Sequence, residues 1–385
     1  MSNTVRSGVC LIPLTTIVSG TERIVLDIAE ELTRRNVPVT ALLPAGNRQD
    51  QYEQTWKRLE PNVYHLGKIH GRRNPLKNAF DTWRYLQKIR PEFVHFHCPN
   101  YRWGLEVIAA AMLSGVPTVI RTEHNPLMWA PPSLMSKLLR LLDTKVKTFT
   151  YVSSGNAKRF EKHLPHRIGR GVVINNSIDP VAYAPSASPE ARRRIREQFG
   201  FPEDSLVAIY VGSFGDRRPL GPIFEAFKLL LKRPETAELA QKWRLLIVGH
   251  GPESEVVNPE TEPIAKYIHL AGRRKDVGEI LPQCDLFVSA SHYEGQSIAM
   301  LEAWSSGLPL LTMDVDGLED VLGADVARTQ VVAGRDDSAA FADAWAAFMI
   351  DPKARCAAQA PAIEYVRTQL TQEHMLSAFM KVYGK

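Results

Sequence analysis

The stretch Cys284–Thr312, CDLFVSASHYEGQSIAMLEAWSSGLPLLT, decides how this chain is read. Cys284 to Ser291 is apolar and short enough to be a buried strand, and His292 to Gln296 is polar with one glycine, so the chain turns there. Ser297 to Ser306 is made of helix formers. Gly307 stands where a helix needs a left-handed stop, Pro309 follows it, and Leu310 to Thr312 opens another strand. The unit is strand, loop, helix, strand. Its loop belongs at the carboxyl end of a strand and the amino end of a helix, where open parallel sheets bind ligands and exposed amides attract phosphate. Glu294 lies in that loop and Glu302 in the helix behind it. A charged surface helix also produces two glutamates at this spacing. Here, however, Ile298, Leu301 and Trp304 form a face that should be buried, which sets Glu302 close to a packed wall. Carboxylates so placed accept hydrogen bonds well from hydroxyls.

Outward from this stretch, apolar runs alternate with helical patterns in both directions. Val9 to Leu14 is a first strand, and a loop ending in Ser19-Gly20-Thr21-Glu22 leads into Ile24, Ile28 and Leu32 at helical spacing. Val37 to Leu43, Phe93 to His97, Thr118 to Arg121, Thr148 to Val152 and Val172 to Asn175 continue the strands of the first half. Leu206 to Val211, Leu245 to Val248 and Ile268 to Ala271 precede the opening stretch in the second. This alternation implies an α/β protein with doubly wound parallel sheets. The segment Tyr183 to Pro189, rich in Ala, Ser and Pro, is the expected linker. Strand, glycine loop and helix at Val207 to Leu230 repeat the plan of Val9 to Leu32, so two similar units facing a cleft are expected.

With these residues quoted, the pattern resembles the retaining glycosyltransferases of the GT-B fold, in the large family usually numbered four. The resemblance implies two Rossmann-like domains: residues 1–180 binding acceptor, with a C-terminal helix at 364–385 crossing back to them, and residues 181–363 binding a nucleotide-sugar. It gives Glu294 the donor sugar and Glu302 the nucleotide ribose. Val211-Gly212-Ser213 followed by Arg217-Arg218 stands where the family shows a glycine, an arginine and then a Lys-Gly pair; Ser213 replaces the arginine and Arg218-Pro219 the pair. Arg218, with Arg217 beside it, then supplies the cation for the diphosphate, since guanidinium binds phosphate oxygens in bidentate fashion; two solvated surface arginines are the competing reading. Val248-Gly249-His250-Gly251-Pro252 matches a turn beside the nucleotide, and Ala271-Gly272-Arg273-Arg274 the segment lying against the base. Gly20 and the amides of Gly295, Gln296 and Ser297 complete the donor set. Gln296 and Asp316-Gly317 replace residues usual near the sugar.

In the first half the resemblance falls on histidines. Phe93-Val94-His95-Phe96-His97 ends in two alternate histidines that face the same way on a strand, and Arg121-Thr122-Glu123-His124 follows the next strand. His124 is expected to meet both donor sugar and acceptor and His97 the acceptor, packing alone being the alternative. His124, Glu294 and Arg218 are the expected catalytic residues. No metal and no cofactor is expected: two histidines lack a third ligand at suitable spacing, and the leaving diphosphate can be met by cations and helix amino ends. An epimerase or phosphorylase of the same fold, or a non-catalytic nucleotide-sugar-binding subunit, are the other readings.

At 385 residues the chain exceeds one ordinary core, and 44% hydrophobic with 23% charged residues is the balance of a soluble globular protein. Its four cysteines, Cys10, Cys98, Cys284 and Cys356, have neither metal-ligand nor redox spacing and suit a cytoplasmic protein. Charge is uneven: 25 Lys and Arg stand against 14 Asp and Glu up to Asp179, and 22 against 28 beyond it. The first half is thus drawn to something anionic. Lys68 to Arg90 carries seven cations among Phe80, Trp83 and Tyr85, and Met128 to Lys147 sets Leu134, Leu138, Leu141 and Leu142 beside Lys137, Arg140, Lys145 and Lys147. Such helices lie in an anionic membrane interface, which suits a lipid-linked acceptor on the inner face of a membrane, or else pack their stripes on the sheet. No nucleic-acid-binding module is visible.

Overall fold

The computed structural model describes residues 7–15, 20–45, 56, 62–69, 74–186, 188–252, 263–322 and 337–385. The chain splits into two compact units, Met1–Asn176 with Gln372–Lys385, and Ser177–Thr371. In the first unit β1 (Val9–Pro13), α1 (Gly20–Arg34), β2 (Val39–Pro44), β3 (Asn62–Leu66), α2 (Pro75–Ile89), β4 (Phe93–Cys98), α3 (Leu105–Leu113), β5 (Thr118–Glu123), α4 (Ser133–Asp143), β6 (Val146–Tyr151), α5 (Ser154–His163) and β7 (Gly171–Val173) follow one another. The sheet order is β3-β2-β1-β4-β5-β6-β7, every pair parallel. The second unit runs α6 (Pro189–Gln198), β8 (Leu206–Ser213), α7 (Gly221–Lys232), α8 (Ala237–Gln241), β9 (Trp243–His250), β10 (Ile268–Gly272), α9 (Val277–Ile280), β11 (Leu286–Ser289), α10 (Ile298–Ser305), β12 (Leu310–Thr312), α11 (Leu318–Leu322), α12 (Ser338–Ile350) and α13 (Pro352–Gln369). Its sheet, β10-β9-β8-β11-β12, is also parallel throughout.

In each sheet the first strand has a neighbour on either side reached by a separate crossover. β1 lies between β2 and β4, and β8 between β9 and β11. Ligand crevices form where strand order reverses in this way, outside the carboxyl ends of the strands.

Three corrections to the sequence reading concern boundaries. β3 was not expected; NVYHL is short, and Tyr64 and His65 disguise its alternation. The division falls at Asn176/Ser177, and the expected linker is partly structured: the Ser188 hydroxyl accepts from Ala191 N at 3.1 Å, and Pro189 opens α6. Of the tail, the residues up to Gln369 remain in α13 of the second unit, and only the helix α14 (Gln372–Tyr383) belongs to the first.

The helix α10 shows why the opening stretch folds as it does. From Met300 to Ser306 it is buried, so it is a core helix with no solvated face. It stops in a Schellman turn: Gly307 adopts φ +81°, its N–H reaches Trp304 O at 2.8 Å, and Leu308 N reaches Ala303 O at 2.9 Å. Trp304 Nε1 donates to Gln359 Oε1 at 2.9 Å, and the same amide pairs with both backbone groups of Leu310. One glutamine of α13 thus fixes both the helix and the neighbouring strand β12. Leu301 and Trp304 share one core layer with Phe287 and Val248, while Trp345 of α12 fills the opposite face with Phe227 and Leu245. Truncating either tryptophan to alanine costs about 3 to 5 kcal/mol.

The two basic stripes of the first unit do not pack wholly on the sheet. On α4, Leu139 and Leu142 are buried, but Leu134 is 80% exposed, and Leu138 and Leu141 also face outward. On α2, Leu76, Phe80 and Trp83 are exposed, while Leu86 is buried. An apolar hollow of about 320 Å³ runs between α2 and α3, lined by Leu76, Ala79, Trp83, Ala109 and Leu113 among others. Among the described residues no helix is long and apolar enough to cross a membrane.

Candidate functional site

In the second unit the switch between β8 and β11 brings together residues 76 positions apart. After β8 a tight turn closes through Arg218 N to Gly215 O at 2.7 Å, and His292 N bonds Arg217 O at 2.9 Å, which ties this turn to the loop after β11. Two side chains follow from that tie. Arg218 donates from Nε to Glu294 Oε1 at 2.5 Å and from Nη2 to Glu294 Oε2 at 2.8 Å, and its Nη1 reaches Ser213 Oγ at 3.3 Å. Arg217 stands further off, with Nη1 3.9 Å from Glu294 Oε2 and its guanidinium 5.8 Å from the Tyr293 ring centre. Ser213, Phe214, Gly215, Asp216, Arg217 and Arg218 line a hollow of about 210 Å³, and α7 begins just beyond it with no side-chain cap on its amino end.

Glu294 is 3% exposed. Burial alone would push its carboxyl up; the guanidiniums of Arg218 and then Arg217 outweigh burial and hold it down at about 2. It is therefore a carboxylate at any physiological pH. A bidentate arginine takes one lone pair from each oxygen and leaves others to accept hydroxyls.

The other expected donor residues divide. Gly249 is required by space: a Cβ there would come within 1.7 Å of Gly212 O across the β8–β9 pairing. Gly317 presses on Gln296, with an added Cβ 3.0 Å from Gln296 Cβ, so the Asp316-Gly317 pair shapes the wall at Gln296. Arg273 donates from Nη2 to His250 Nε2 at 2.5 Å, whereas Arg274 turns away into two bonds with Asp276 at 2.8 and 2.5 Å. Glu302 is buried in α10, just over one turn behind the loop that ends with Gly295, Gln296 and the N-cap Ser297. Gly20 is the first residue of α1; the loop at 16–19 before it lies outside the described residues.

In the first unit, the ends of β4 and β5 hold the histidines. His97 Nδ1 and His124 Nε2 are 3.0 Å apart, and their rings stack with centres 5.3 Å apart. His95, which the sequence reading left without a role, contacts the Tyr383 hydroxyl of α14 through Nδ1 at 2.5 Å and Thr122 Oγ1 through Nε2 at 2.7 Å; Thr122 in turn bonds Thr150. All three rings are buried, and burial lowers their basicity: His95 and His124 to about 3, with His124 a further cause for His95, and His97 well below its ordinary value. They are neutral imidazoles at working pH.

On the opposite face of β5 lies a buried charged set. Arg121 and Arg167 enclose Glu123 and Asp143, all four fully buried: Arg167 Nη1 donates to Glu123 Oε1 at 2.8 Å and Arg167 Nε to Asp143 Oδ2 at 2.5 Å. Asn156 Nδ2 donates to Glu123 O at 2.7 Å. These bonds fix the backbone just before His124. No spacing in the sequence announces them, because the partners lie on separate elements.

Two family models match the chain: "Glycosyltransferase Family 4" at residues 18–181 and "Glycosyl transferases group 1" at residues 191–364. Among curated proteins, the chain is 27% identical over 256 residues to the UDP-Gal:alpha-D-GlcNAc-diphosphoundecaprenol alpha-1,3-galactosyltransferase of Escherichia coli, an alignment spanning 63% of this chain and 62% of that protein. It is 23% identical over 319 residues to the alpha-monoglucosyldiacylglycerol synthase of Acholeplasma laidlawii, spanning 77% of each. Among solved structures, Anabaena HepE in complex with UDP superposes with a TM-score of 0.77 at 14% identity, covering 98% of this chain and 99% of that one. HepE with UDP-glucose gives 0.76 at 14% identity over 98% and 100%. With two parallel doubly wound sheets, a shared fold, and one family model on each half, the chain belongs to the family-four glycosyltransferases of the GT-B fold.

Proposed function

We propose that this glycosyltransferase is a retaining enzyme that moves a hexose from a nucleotide-sugar donor onto a glycan, lipid-linked or small-molecule acceptor in cell-surface polysaccharide or glycoconjugate synthesis. The observation that carries this reading is the meeting of Ser213, Arg217, Arg218 and Glu294 at the β8/β11 switch, where a parallel sheet takes its ligand. UDP is the nucleotide that a structure of this fold holds in HepE, and a UDP-sugar is the donor named for the galactosyltransferase relative.

In this reading the departing diphosphate gains negative charge, which Arg217, Arg218 and the positive amino end of the α7 dipole meet. Arg218 also keeps Glu294 ionised and oriented, and Glu294 holds donor-sugar hydroxyls. Glu302 takes the ribose, and the leaving phosphate accepts the proton of the attacking hydroxyl, so that attack comes from the face it departs. His124 in the first unit is neutral, so it offers a substrate hydroxyl a hydrogen bond and carries no charge to the reaction. Because cations stand where the leaving charge develops, the reaction is assigned no metal and no cofactor.

The exposed Leu76, Phe80, Trp83, Leu134, Leu138 and Leu141, set beside Lys77, Arg84, Lys137 and Arg140, support a lipid-linked acceptor met at an anionic membrane surface. Both named relatives act on lipid-bearing molecules by their descriptions. The functional test is incubation with a panel of UDP- and GDP-sugars and detection of slow donor hydrolysis. Turnover of at least one donor is expected. Turnover of none by folded protein, or phosphate-dependent breakdown of a glycan without nucleotide, contradicts the reading.

A further inference from the structure

His97 is 0% exposed, so it lies behind His124 and has no surface to offer an acceptor. Its contacts suggest a different part. Its Nδ1 meets His124 Nε2 at 3.0 Å, and one proton must lie between the two nitrogens, since an unprotonated pair would repel and a doubly protonated pair would clash. The two rings therefore share one tautomer, both carrying the proton on Nδ1 or both on Nε2. His97 Nε2 is buried without a hydrogen-bond partner, and an unpaired N–H there costs more than a bare lone pair, so the proton of His97 lies on Nδ1, His124 Nε2 accepts it, and His124 carries its own proton on Nδ1.

The ring of His97 is held in place from behind. His95, two residues earlier on β4, is bonded at both nitrogens, and its ring centre is 4.1 Å from that of His97. Phe379 of α14 closes the same side, 5.6 Å from the ring of His95 and 6.4 Å from that of His97. The chain of contact runs from α14 through His95 to His97 and ends on His124.

We propose that His97 is a positioning residue: through its Nδ1 it fixes the ring plane and tautomer of His124, so that His124 presents Nδ1 in one protonation state to a substrate hydroxyl. This rests on the reading of His124 as a substrate contact, but its structural half does not depend on it. His95, Tyr383 and Phe379 act one step further back by denying His97 any other rotamer.

The test exploits side-chain geometry, since an asparagine amide reaches the place of a histidine Nδ1 and a glutamine amide the place of Nε2. Full-length His97→Asn, His97→Gln and His97→Leu are made with ¹⁵N-histidine, and the ring nitrogens of His124 are followed by NMR. The wild type and His97→Asn should show one neutral tautomer of His124; His97→Gln and His97→Leu should show a mixture or the other tautomer. Hydrolysis of the nucleotide-sugar that the wild type turns over in the panel is the second reading, with kcat falling roughly a hundredfold in the Gln and Leu variants, affinity for its nucleotide unchanged, and His97→Asn near wild type. Unaltered His124 signals in both His97→Gln and His97→Leu overturn the inference, as does equal loss in Asn and Gln variants. Full hydrolysis by His124→Ala would instead overturn the role of His124 and leave the NMR result to decide the positioning.

Discussion

Glu294, almost removed from water, and Arg218, about a fifth exposed, neutralise each other, and that fact shapes what their removal does. Glu294→Ala leaves Arg218 without its counter-charge and should destabilise the second unit by about 3 kcal/mol or more. It should also suppress turnover, yet bare UDP should bind no more weakly, because two guanidiniums are released toward the phosphates. Glu302→Ala should weaken UDP by about 1.5 to 3 kcal/mol, the range for hydrogen bonds to a charged group. Calorimetry with UDP separates the two, and equal losses would show the roles misassigned. The histidines give a second residue-scale expectation. Burial lowers His95 and His124 to about 3, so as pH falls below 6.5 the unfolded chain takes up protons that the folded chain refuses. Stability is thus whole above pH 6.5 and declines toward pH 3, by up to about 1.4 kcal/mol per pH unit for each ring. Glu294, depressed to about 2, contributes in the same direction, but only below its ordinary range near 4.5. Urea unfolding at pH 7.5 and 5.5 should therefore show the loss in wild type and a smaller loss in His124→Phe; equal stability at both pH values contradicts the burial of neutral rings. The sequence suggested His97 and His124 from their strand-end positions. It offered no signal for their mutual bond, nor for Arg218 against Glu294, because both pairings depend on which strands lie side by side.

Elements were more legible than contacts. The strand, loop, helix and strand of Cys284–Thr312 appear as β11, α10 and β12, because apolar runs, a helix-forming block and Gly307 all demand the same local structure. The expectation of a half-packed α10 fell short, since burial reaches round the helix to Ser305 and Ser306; polar serines there disguised a core element. β3 was missed for the converse reason, its buried character being carried by few apolar residues. Two glycine substitutions test this scale. Gly249→Ala places a Cβ against the Gly212 carbonyl, backbone against backbone, and should cost more than about 4 kcal/mol with loss of UDP binding. Gly221→Ala, at the start of α7 with nothing but its chain neighbours within 4 Å of the added carbon, should shift stability by less than about 1 kcal/mol, the entropy gain being offset by crowding against Pro222. Thermal unfolding followed by circular dichroism compares them directly; two equal effects would contradict the close strand approach at Gly249.

For the molecule as a whole, the excess of cations in the first half coincides with outward-facing apolar residues on α2 and α4. Sedimentation with liposomes of rising anionic lipid content should show binding at low salt, each cation near the surface contributing about 1 kcal/mol, and loss of binding when Leu76, Phe80, Trp83, Leu134 and Leu141 become serine. Absence of binding by folded protein would favour a soluble acceptor. The assignment of leaving-group charge to Arg217, Arg218 and the amino end of α7 likewise predicts turnover that survives a chelator; activity abolished by chelation and restored by manganese contradicts it. The central claim, that these residues transfer a sugar from a nucleotide with retained configuration, is tested most directly by time-resolved proton NMR of the sugar first released from an α-linked nucleotide-sugar. The α-anomer should appear first and its release should vanish in Glu294→Ala, whereas the β-anomer appearing first would contradict the account.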